Sequence, residues 1–236
     1  MRRPVGLLKD RQKAGARLAE ELASYAGRRD TVVLGLPRGG VVVAFEVAKA
    51  LDLPLDVYLV RKLGTPGHEE LAMGAIASGG VMVLNEDVVG ALHLGQEYVE
   101  QVAARERGVL EQRERTYRSH AQPVPLSGKQ VILVDDGLAT GATMRTAIKS
   151  LKAHRPSRIV VAVPTAPVET CDALAKEADE VVCSMTPSPF FSIGEWYEDF
   201  SQTPDEEVVD LLERSRTFGR PAKTISQGEN GGERRG

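Results

Sequence analysis

The stretch VILVDDGLATGAT, residues 131–143, decides both the fold and the site of this chain. An apolar run ends in two adjacent acids, Asp135 and Asp136, and a loop of small residues then leads into a predicted helix over 142–153. A short apolar run bounded by turn residues is typical of a buried strand. We therefore predict a strand over 130–134 that ends in a functional loop.

The chemistry of this loop indicates a sugar phosphate. Small residues let the backbone approach a ligand, and the unpaired amides at a helix start attract phosphate. The hydroxyls of Thr140 and Thr143 add donors, but the lysine of the G-x-x-x-x-G-K-[ST] nucleotide-binding loop is missing. Asp135 and Asp136, called the acid pair below, would repel a phosphate. They suit sugar hydroxyls, or a positive charge that develops during a reaction.

A second unusual loop follows the strand predicted over 31–36. This glycine turn, Pro37 to Gly40, offers the guanidinium of Arg38 and the exposed amides of Gly39 and Gly40. Such donors suit a second, more highly charged phosphate group.

Two further cations, Arg61 and Lys62, follow the strand predicted over 55–60. They could join the glycine turn in binding an anion, and a solvated strand end is the alternative.

The alternation of strands and helices predicts an α/β fold, in which a central, mainly parallel sheet is flanked by helices. Ligands of such sheets bind beyond the carboxyl ends of the strands, where both unusual loops are predicted to lie. The remaining predicted helices cover 10–26, 41–51, 169–178 and 205–216, and the remaining strands cover 158–163 and 180–184.

We predict one domain over residues 1–218. It contains an insertion at about 64–126, with a β-hairpin over 73–84 and a long charged helix over 96–118. The pattern of this helix favours an ion-paired, solvated face, with a partner-binding helix as the alternative. Residues 219–236 have few apolar side chains, which predicts a disordered tail.

Composition narrows the class of protein. The chain has 236 residues, 42% hydrophobic and 27% charged, as in a soluble globular protein, and its net charge of -3 offers no argument for nucleic-acid binding. No apolar run is long enough for a membrane span, and the N-terminal residues lack the apolar run of a signal peptide. Cys171 and Cys183 lack metal-ligand or redox spacing and are interpreted as ordinary thiols in a reducing compartment. We expect a cytoplasmic protein without nucleic-acid or membrane partners.

VILVDDGLATGAT closely resembles the 5-phosphoribosyl-1-pyrophosphate (PRPP) binding motif of type I phosphoribosyltransferases. The stretches LGLPRGGVVVA, VRKLGTPGHEELAMGAI and SIGEWYEDF resemble uncharacterised predicted phosphoribosyltransferases of bacteria, so that the similarity covers about residues 10–215. The resemblance implies a type I phosphoribosyltransferase fold with a small hood, at about residues 184–204. It also implies transfer of the 5-phosphoribosyl group to a nitrogen acceptor, such as a nucleobase, with release of pyrophosphate.

The resemblance also implies roles for particular residues. The acid pair would contact the ribose hydroxyls, and Arg38 and Lys62 would complete the catalytic set. The pyrophosphate would bind at Arg38, Gly39 and Gly40 together with Arg61 and Lys62. The 5-phosphate would bind at the phosphate loop, which comprises Gly137, Leu138, Ala139, Thr140, Gly141, Ala142 and Thr143.

A mobile loop over 64–70 would cover the site. His68 and Glu70 in this segment are candidates for proton transfer, and simple exposure is the alternative. Magnesium would be bound largely by substrate oxygens, without dedicated protein ligands. The family also favours a homodimer.

The sequence does not identify the acceptor. Four hood aromatics, Phe190, Phe191, Trp196 and Tyr197, could stack on a base or could pack the hood onto the sheet. Two alternatives to the transferase stay open. One is a non-catalytic module that senses PRPP or a nucleotide. The other is a phosphohydrolase that uses the acid pair, which the absence of a D-x-D pattern disfavours.

Overall fold

A computed structural model describes residues 6–65, 68–119 and 121–219, with the backbone but not the side chains of 68–70. Its central sheet is formed by β1 Thr31–Gly35, β2 Leu55–Val57, β6 Gln130–Val134, β7 Arg158–Thr165 and β8 Glu180–Met185. The order is β2-β1-β6-β7-β8, and every neighbouring pair is parallel. The predicted parallel α/β sheet is confirmed.

Most of the helices lie where the sequence pattern predicts them. Their bounds are α1 Arg11–Glu21, α2 Gly39–Leu51, α3 Glu86–Ala91, α4 Gln96–Arg118, α5 Ala142–Ala153, α6 Val168–Leu174 and α7 Asp205–Arg214. The predicted helix 10–26 ends earlier, because Leu22 leaves helical geometry and a 3-10 turn, Ala23–Tyr25, follows. The short helix α3 was not predicted.

Both faces of the central sheet are buried. Val33 and Val134 face one cluster, with α1, α2 and α7, while Val32 and Leu133 face another, with α5. The valine-rich α2 is nevertheless a helix because it is enclosed between α1 and the sheet. Gly15 of α1 permits the contact, since a Cβ there would lie 2.6 Å from the Val43 carbonyl oxygen.

A second, three-stranded antiparallel sheet consists of β3 Val60–Thr65, β4 His68–Ala77 and β5 Val81–Leu84. It contains the predicted hairpin and adds a strand to it. The predicted strand 55–60 begins at Leu55 as expected but ends earlier, at Val57, because this run holds all of β2 and the first residue of β3. An uninterrupted apolar run does not show where the chain leaves one sheet for the next.

Parts of three predictions lie outside the described residues. These are residues 66 and 67 of the predicted mobile loop, the side chains of His68 and Glu70, and the tail from residue 220 onward. The described backbone on either side of 66 and 67 belongs to β3 and β4.

Candidate active site

The glycine turn and the loop after β6 meet at the switch point of the sheet. The chain passes from β1 to β2 in one direction and from β6 to β7 and β8 in the other, so β1 and β6 are the neighbouring strands where the order reverses. The Leu36 amide donates to the Val134 carbonyl at 2.9 Å, which continues the pairing to the strand ends. This is the place where open parallel sheets bind ligands.

Two glycines of the turn lie directly against the acid pair. A Cβ at Gly40 would lie 2.8 Å from Asp135 Oδ1, and a Cβ at Gly39 would overlap Asp136 Oδ2. The preceding Pro37–Arg38 peptide bond is cis. The two predicted halves of the site are therefore in contact, with the backbone of the glycine turn on one side and the carboxylates on the other.

Asp136 is held by two residues whose contacts with it the sequence analysis did not predict. Arg11, the first residue of α1, donates from Nε to Asp136 Oδ2 at 2.7 Å. The Tyr197 hydroxyl donates to the Asp136 backbone carbonyl at 2.6 Å. Neither partner has a local pattern that could reveal it, since the contacts span 125 and 61 positions of the chain.

Asp135 lies in a different environment from Asp136. Its Oδ1 accepts a hydrogen bond from the Asp136 amide at 2.9 Å. Burial raises the pKa of Asp135 well above its usual value, and the negative charge of Asp136 raises it further. The acid pair therefore favours one negative charge over two. A ligand that brings hydroxyl donors or a positive charge would stabilise the second negative charge.

The phosphate loop has the backbone geometry of an anion site. Gly141 adopts φ 71° and places α5 with its first-turn amides directed at the loop. The loop is supported from below, because the Leu138 amide donates to the Thr165 carbonyl at 3.0 Å. Thr170 of α6 donates to the Ala139 carbonyl at 2.8 Å. These two hydrogen bonds fix the loop against the end of β7 and against α6.

Arg61 and Lys62 lie within β3 rather than in a loop after the main sheet, contrary to their predicted placement. Arg61 donates from Nε to Glu106 Oε2 of α4 at 2.9 Å. Burial raises the pKa of Glu106, but Arg61 and Arg105 outweigh this effect and lower it overall. Glu106 of α4 thus neutralises Arg61. The Lys62 side chain is exposed.

The hood aromatics divide into packing residues and one exposed ring. Tyr197 is buried, and Phe190 stacks on Trp196 with ring centres 6.2 Å apart. Phe191 is 78% exposed. The packing interpretation therefore applies to Tyr197, whose ring cannot stack on a base in this conformation.

The segment before α1 pairs with the backbone of the hood, a contact that the sequence analysis did not predict. The Leu8 amide donates to the Trp196 carbonyl at 2.8 Å, and the Glu198 amide donates back to the Leu8 carbonyl at 2.8 Å. Below them, Ile193 rests on the phosphate loop, where a Cβ at Gly137 would lie 2.5 Å from its Cγ2.

The cysteine prediction was wrong, because Cys171 and Cys183 form a disulfide. Spacing rules detect cysteines that share a local motif, whereas these two lie on α6 and β8 and meet through packing. The bond ties β8 to the helix that carries Thr170, and it removes the argument from cysteines for a reducing compartment.

The described residues contain neither a membrane-spanning helix nor a cluster of metal ligands. No helix in 6–65, 68–119 and 121–219 is long and apolar enough to cross a bilayer. Within the same ranges, no group of three or more His, Cys, Asp or Glu side chains is placed to hold a metal ion.

Comparison with known proteins defines the class. Residues 7–199 match the phosphoribosyl transferase domain family, and the chain belongs to that family. The fold is that of the type I phosphoribosyltransferases. The crystal structure of TT1426 from Thermus thermophilus superposes with a TM-score of 0.79 at 46% identity, covering 88% of this chain and 98% of that one.

Two curated relatives are similar in sequence. A Mycobacterium tuberculosis protein named "Putative phosphoribosyl transferase" is 48% identical over 209 residues, which is 89% of this chain and 47% of the relative. The present chain thus spans about half the length of that relative. "Bifunctional protein PyrR" of Leifsonia xyli is 30% identical over 156 residues, covering 65% of this chain and 68% of the relative.

Proposed function

We propose that this chain binds PRPP with Mg²⁺ and transfers the 5-phosphoribosyl group to a nitrogen acceptor, a nucleobase, with release of pyrophosphate. The observation that carries the proposal is the contact between the glycine turn and the acid pair at the switch point of the sheet. Anion-binding amides and hydroxyl-binding carboxylates within one site match a sugar that is phosphorylated at both ends.

Each part of the substrate has a proposed partner. The 5-phosphate lies at the amides that begin α5 and at the hydroxyls of Thr140 and Thr143. The ribose hydroxyls donate to the acid pair. The pyrophosphate lies at the glycine turn, with Arg38 and Lys62 as its cations. Because Arg61 already pairs with Glu106, we assign Arg61 to this ion pair with α4 and not to the pyrophosphate.

The proposed reaction is a displacement at the anomeric carbon. The bond from this carbon to the pyrophosphate oxygen breaks, and its electron pair leaves with the pyrophosphate. The lone pair of the acceptor nitrogen forms the new bond on the opposite face, and the proton of that nitrogen is released to solvent. Positive charge that develops on the sugar is stabilised by the acid pair, so catalysis rests on positioning and electrostatics.

The residues present fit a substrate-borne magnesium ion. Asp135 and Asp136 offer hard oxygen donors beside the proposed pyrophosphate position, and Mg²⁺ prefers oxygen ligands while retaining water and phosphate. When bound with the substrate, the ion would neutralise charge on the leaving pyrophosphate.

The hood supplies the proposed acceptor contact. Phe191 is the exposed aromatic of the four and can stack on a planar base, whereas Phe190 and Trp196 already stack on each other. The homodimer and the cytoplasmic location stay predictions from the sequence.

Product analysis tests the proposed reaction. The protein is incubated with PRPP, Mg²⁺ and a panel of nucleobases, and products are identified by mass spectrometry together with the release of pyrophosphate. We expect a ribonucleoside monophosphate that forms with one base and is lost in Arg38→Ala. PRPP binding without turnover on any base would support the sensor instead, and acceptor-independent release of inorganic phosphate would support the phosphohydrolase.

A further inference from the structure

One side chain, Arg11, joins the acid pair to the hood. Its Nε donates to Asp136 Oδ2 at 2.7 Å, and its Nη1 donates to the Ser201 carbonyl at 2.6 Å. The guanidinium lies 4.0 Å from the centre of the Phe200 ring. The Arg11 and Asp136 side chains are only 11% and 13% exposed, so little solvent screens the pair.

We propose that Arg11 is a positioning residue of the PRPP site, which orients the Asp136 carboxylate toward the ribose and ties it to the hood at residues 200–201. The proposal rests on the proposed function, because it assigns a role within the same site. Arg11 acts through Asp136 and does not itself need to touch the substrate.

The charge balance of the site explains why a cation is needed here. Two adjacent carboxylates repel each other, and both would repel a polyphosphate as it enters. An arginine that neutralises Asp136 from behind lowers this repulsion and still leaves the second carboxylate oxygen to accept a hydroxyl hydrogen bond.

The identity of the cation matters as well as its charge. The planar guanidinium donates in two directions and stacks on a ring, and Arg11 uses all three capacities at once. A lysine ammonium is a point charge on a flexible stem and cannot hold Asp136, Ser201 and Phe200 in one geometry.

A polar crevice of about 270 Å³ is lined by Arg11 together with Asp199, Ser201 and Thr203, among others. If the Arg11 side chain is removed, this crevice gives a small cation a route to Asp136. Chemical rescue by guanidinium is therefore a specific test of the position.

The experiment compares Arg11→Ala and Arg11→Lys with the wild type. Arg17→Ala serves as a matched control, because Arg17 is an exposed arginine on the same helix. Calorimetry measures the affinity for PRPP with Mg²⁺. We expect a roughly ten- to hundredfold loss in Arg11→Ala, as for a lost charged hydrogen bond. Arg11→Lys should fall between Arg11→Ala and the wild type, and Arg17→Ala should bind as the wild type does.

Two further readouts separate positioning from a general structural effect. Millimolar guanidinium chloride should restore PRPP affinity in Arg11→Ala, while sodium chloride at equal ionic strength should not. The emission of Trp196, the single tryptophan of the chain, should change on PRPP binding, and the change should be smaller in Arg11→Ala because the tie to the hood is lost.

The outcomes distinguish the two proposals. A wild type that does not bind PRPP would overturn the proposed function and, with it, the role of Arg11. Wild-type binding that stays equal in Arg11→Ala would overturn the positioning role alone, as would a loss of affinity that guanidinium does not rescue. If Arg11→Ala fails to fold, wild-type affinity and emission in Arg11→Lys would contradict the need for the guanidinium.

Discussion

The α-carbon of Gly39 lies so close to the Asp136 carboxylate that a methyl group at Gly39 would overlap Asp136 Oδ2 and lie 2.5 Å from Arg11 Nε. The backbone of the glycine turn therefore packs directly against the Asp136 side chain of the loop after β6. Any residue larger than glycine must push Asp136 out of its position.

The first prediction follows from this contact. Gly39→Ala should weaken PRPP binding by at least about tenfold, because displacing the carboxylate costs a charged hydrogen bond to the ligand. Gly108→Ala is the matched control, since Gly108 lies in α4 and a Cβ there meets nothing within 4 Å. Calorimetry with PRPP and Mg²⁺ measures both variants. Equal affinities in the two would show that the contact is not part of the site.

Tyr197→Phe tests the support of the acid pair from the hood. Burial raises the pKa of Tyr197, and the negative charge of Asp136 raises it further. The Tyr197 hydroxyl therefore stays protonated and donates to the Asp136 carbonyl. Loss of this hydrogen bond should lower the free energy of unfolding by about 1 kcal/mol.

Urea unfolding provides the measurement for Tyr197→Phe. Tyr98→Phe is its control, because the Tyr98 hydroxyl has no hydrogen bond among the described residues. Stability equal to that of the wild type in both variants would mean that the Tyr197 hydroxyl gains nothing from Asp136.

The raised pKa of Asp135 predicts how stability depends on pH. A carboxyl group whose pKa is higher in the folded than in the unfolded state stabilises the fold below its unfolded pKa, and this stabilisation is lost as the pH rises through the folded pKa. Asp135→Asn, which is neutral at every pH, should therefore be more stable than the wild type at neutral pH.

The stability difference between Asp135→Asn and the wild type should shrink as the pH falls below the folded pKa of Asp135. Urea unfolding at a series of pH values measures this difference. The exposed Asp210→Asn should show no comparable trend. A wild type that stays more stable than Asp135→Asn throughout would contradict the raised pKa.

The disulfide predicts sensitivity to reductant. Cys171 and Cys183 are 12 positions apart, and closing a loop of this size stabilises a protein by up to about 3 kcal/mol. Reduction should lower the free energy of unfolding, and it should weaken PRPP binding because Thr170 on the same helix supports the phosphate loop.

The control for the disulfide is the double variant Cys171→Ser with Cys183→Ser, on which reductant should have no effect. Thiol alkylation followed by mass spectrometry gives a direct check. Two alkylated cysteines in the native, unreduced protein would refute the bond.

The sequence predicts those parts of the site that are local in the chain. Residues 130–143 contain a strand, a loop and a helix start in order, and the structure places all three as predicted. The glycine turn is local in the same way. Because parallel strands carry their ligands at their carboxyl ends, these two patterns were enough to place both loops at one edge.

The contacts that complete the site are not local, and no pattern near them reveals them. Arg11 reads as an ordinary helix-start residue, and its partner is 125 positions away. Arg61 was a candidate anion ligand in the sequence. Its neighbours in the chain do not show that Glu106, in another element, neutralises it. The disulfide likewise depends on how α6 packs on β8.

The most direct test of the account is the affinity of the acid-pair variant for PRPP. Calorimetry with PRPP and Mg²⁺ compares the wild type with Asp135→Asn combined with Asp136→Asn. The control is Asp210→Asn combined with Glu213→Gln, which removes two exposed acids of α7. We expect the wild type and the control to bind PRPP and the acid-pair variant to lose most of this affinity. Unchanged affinity in that variant would contradict this expectation.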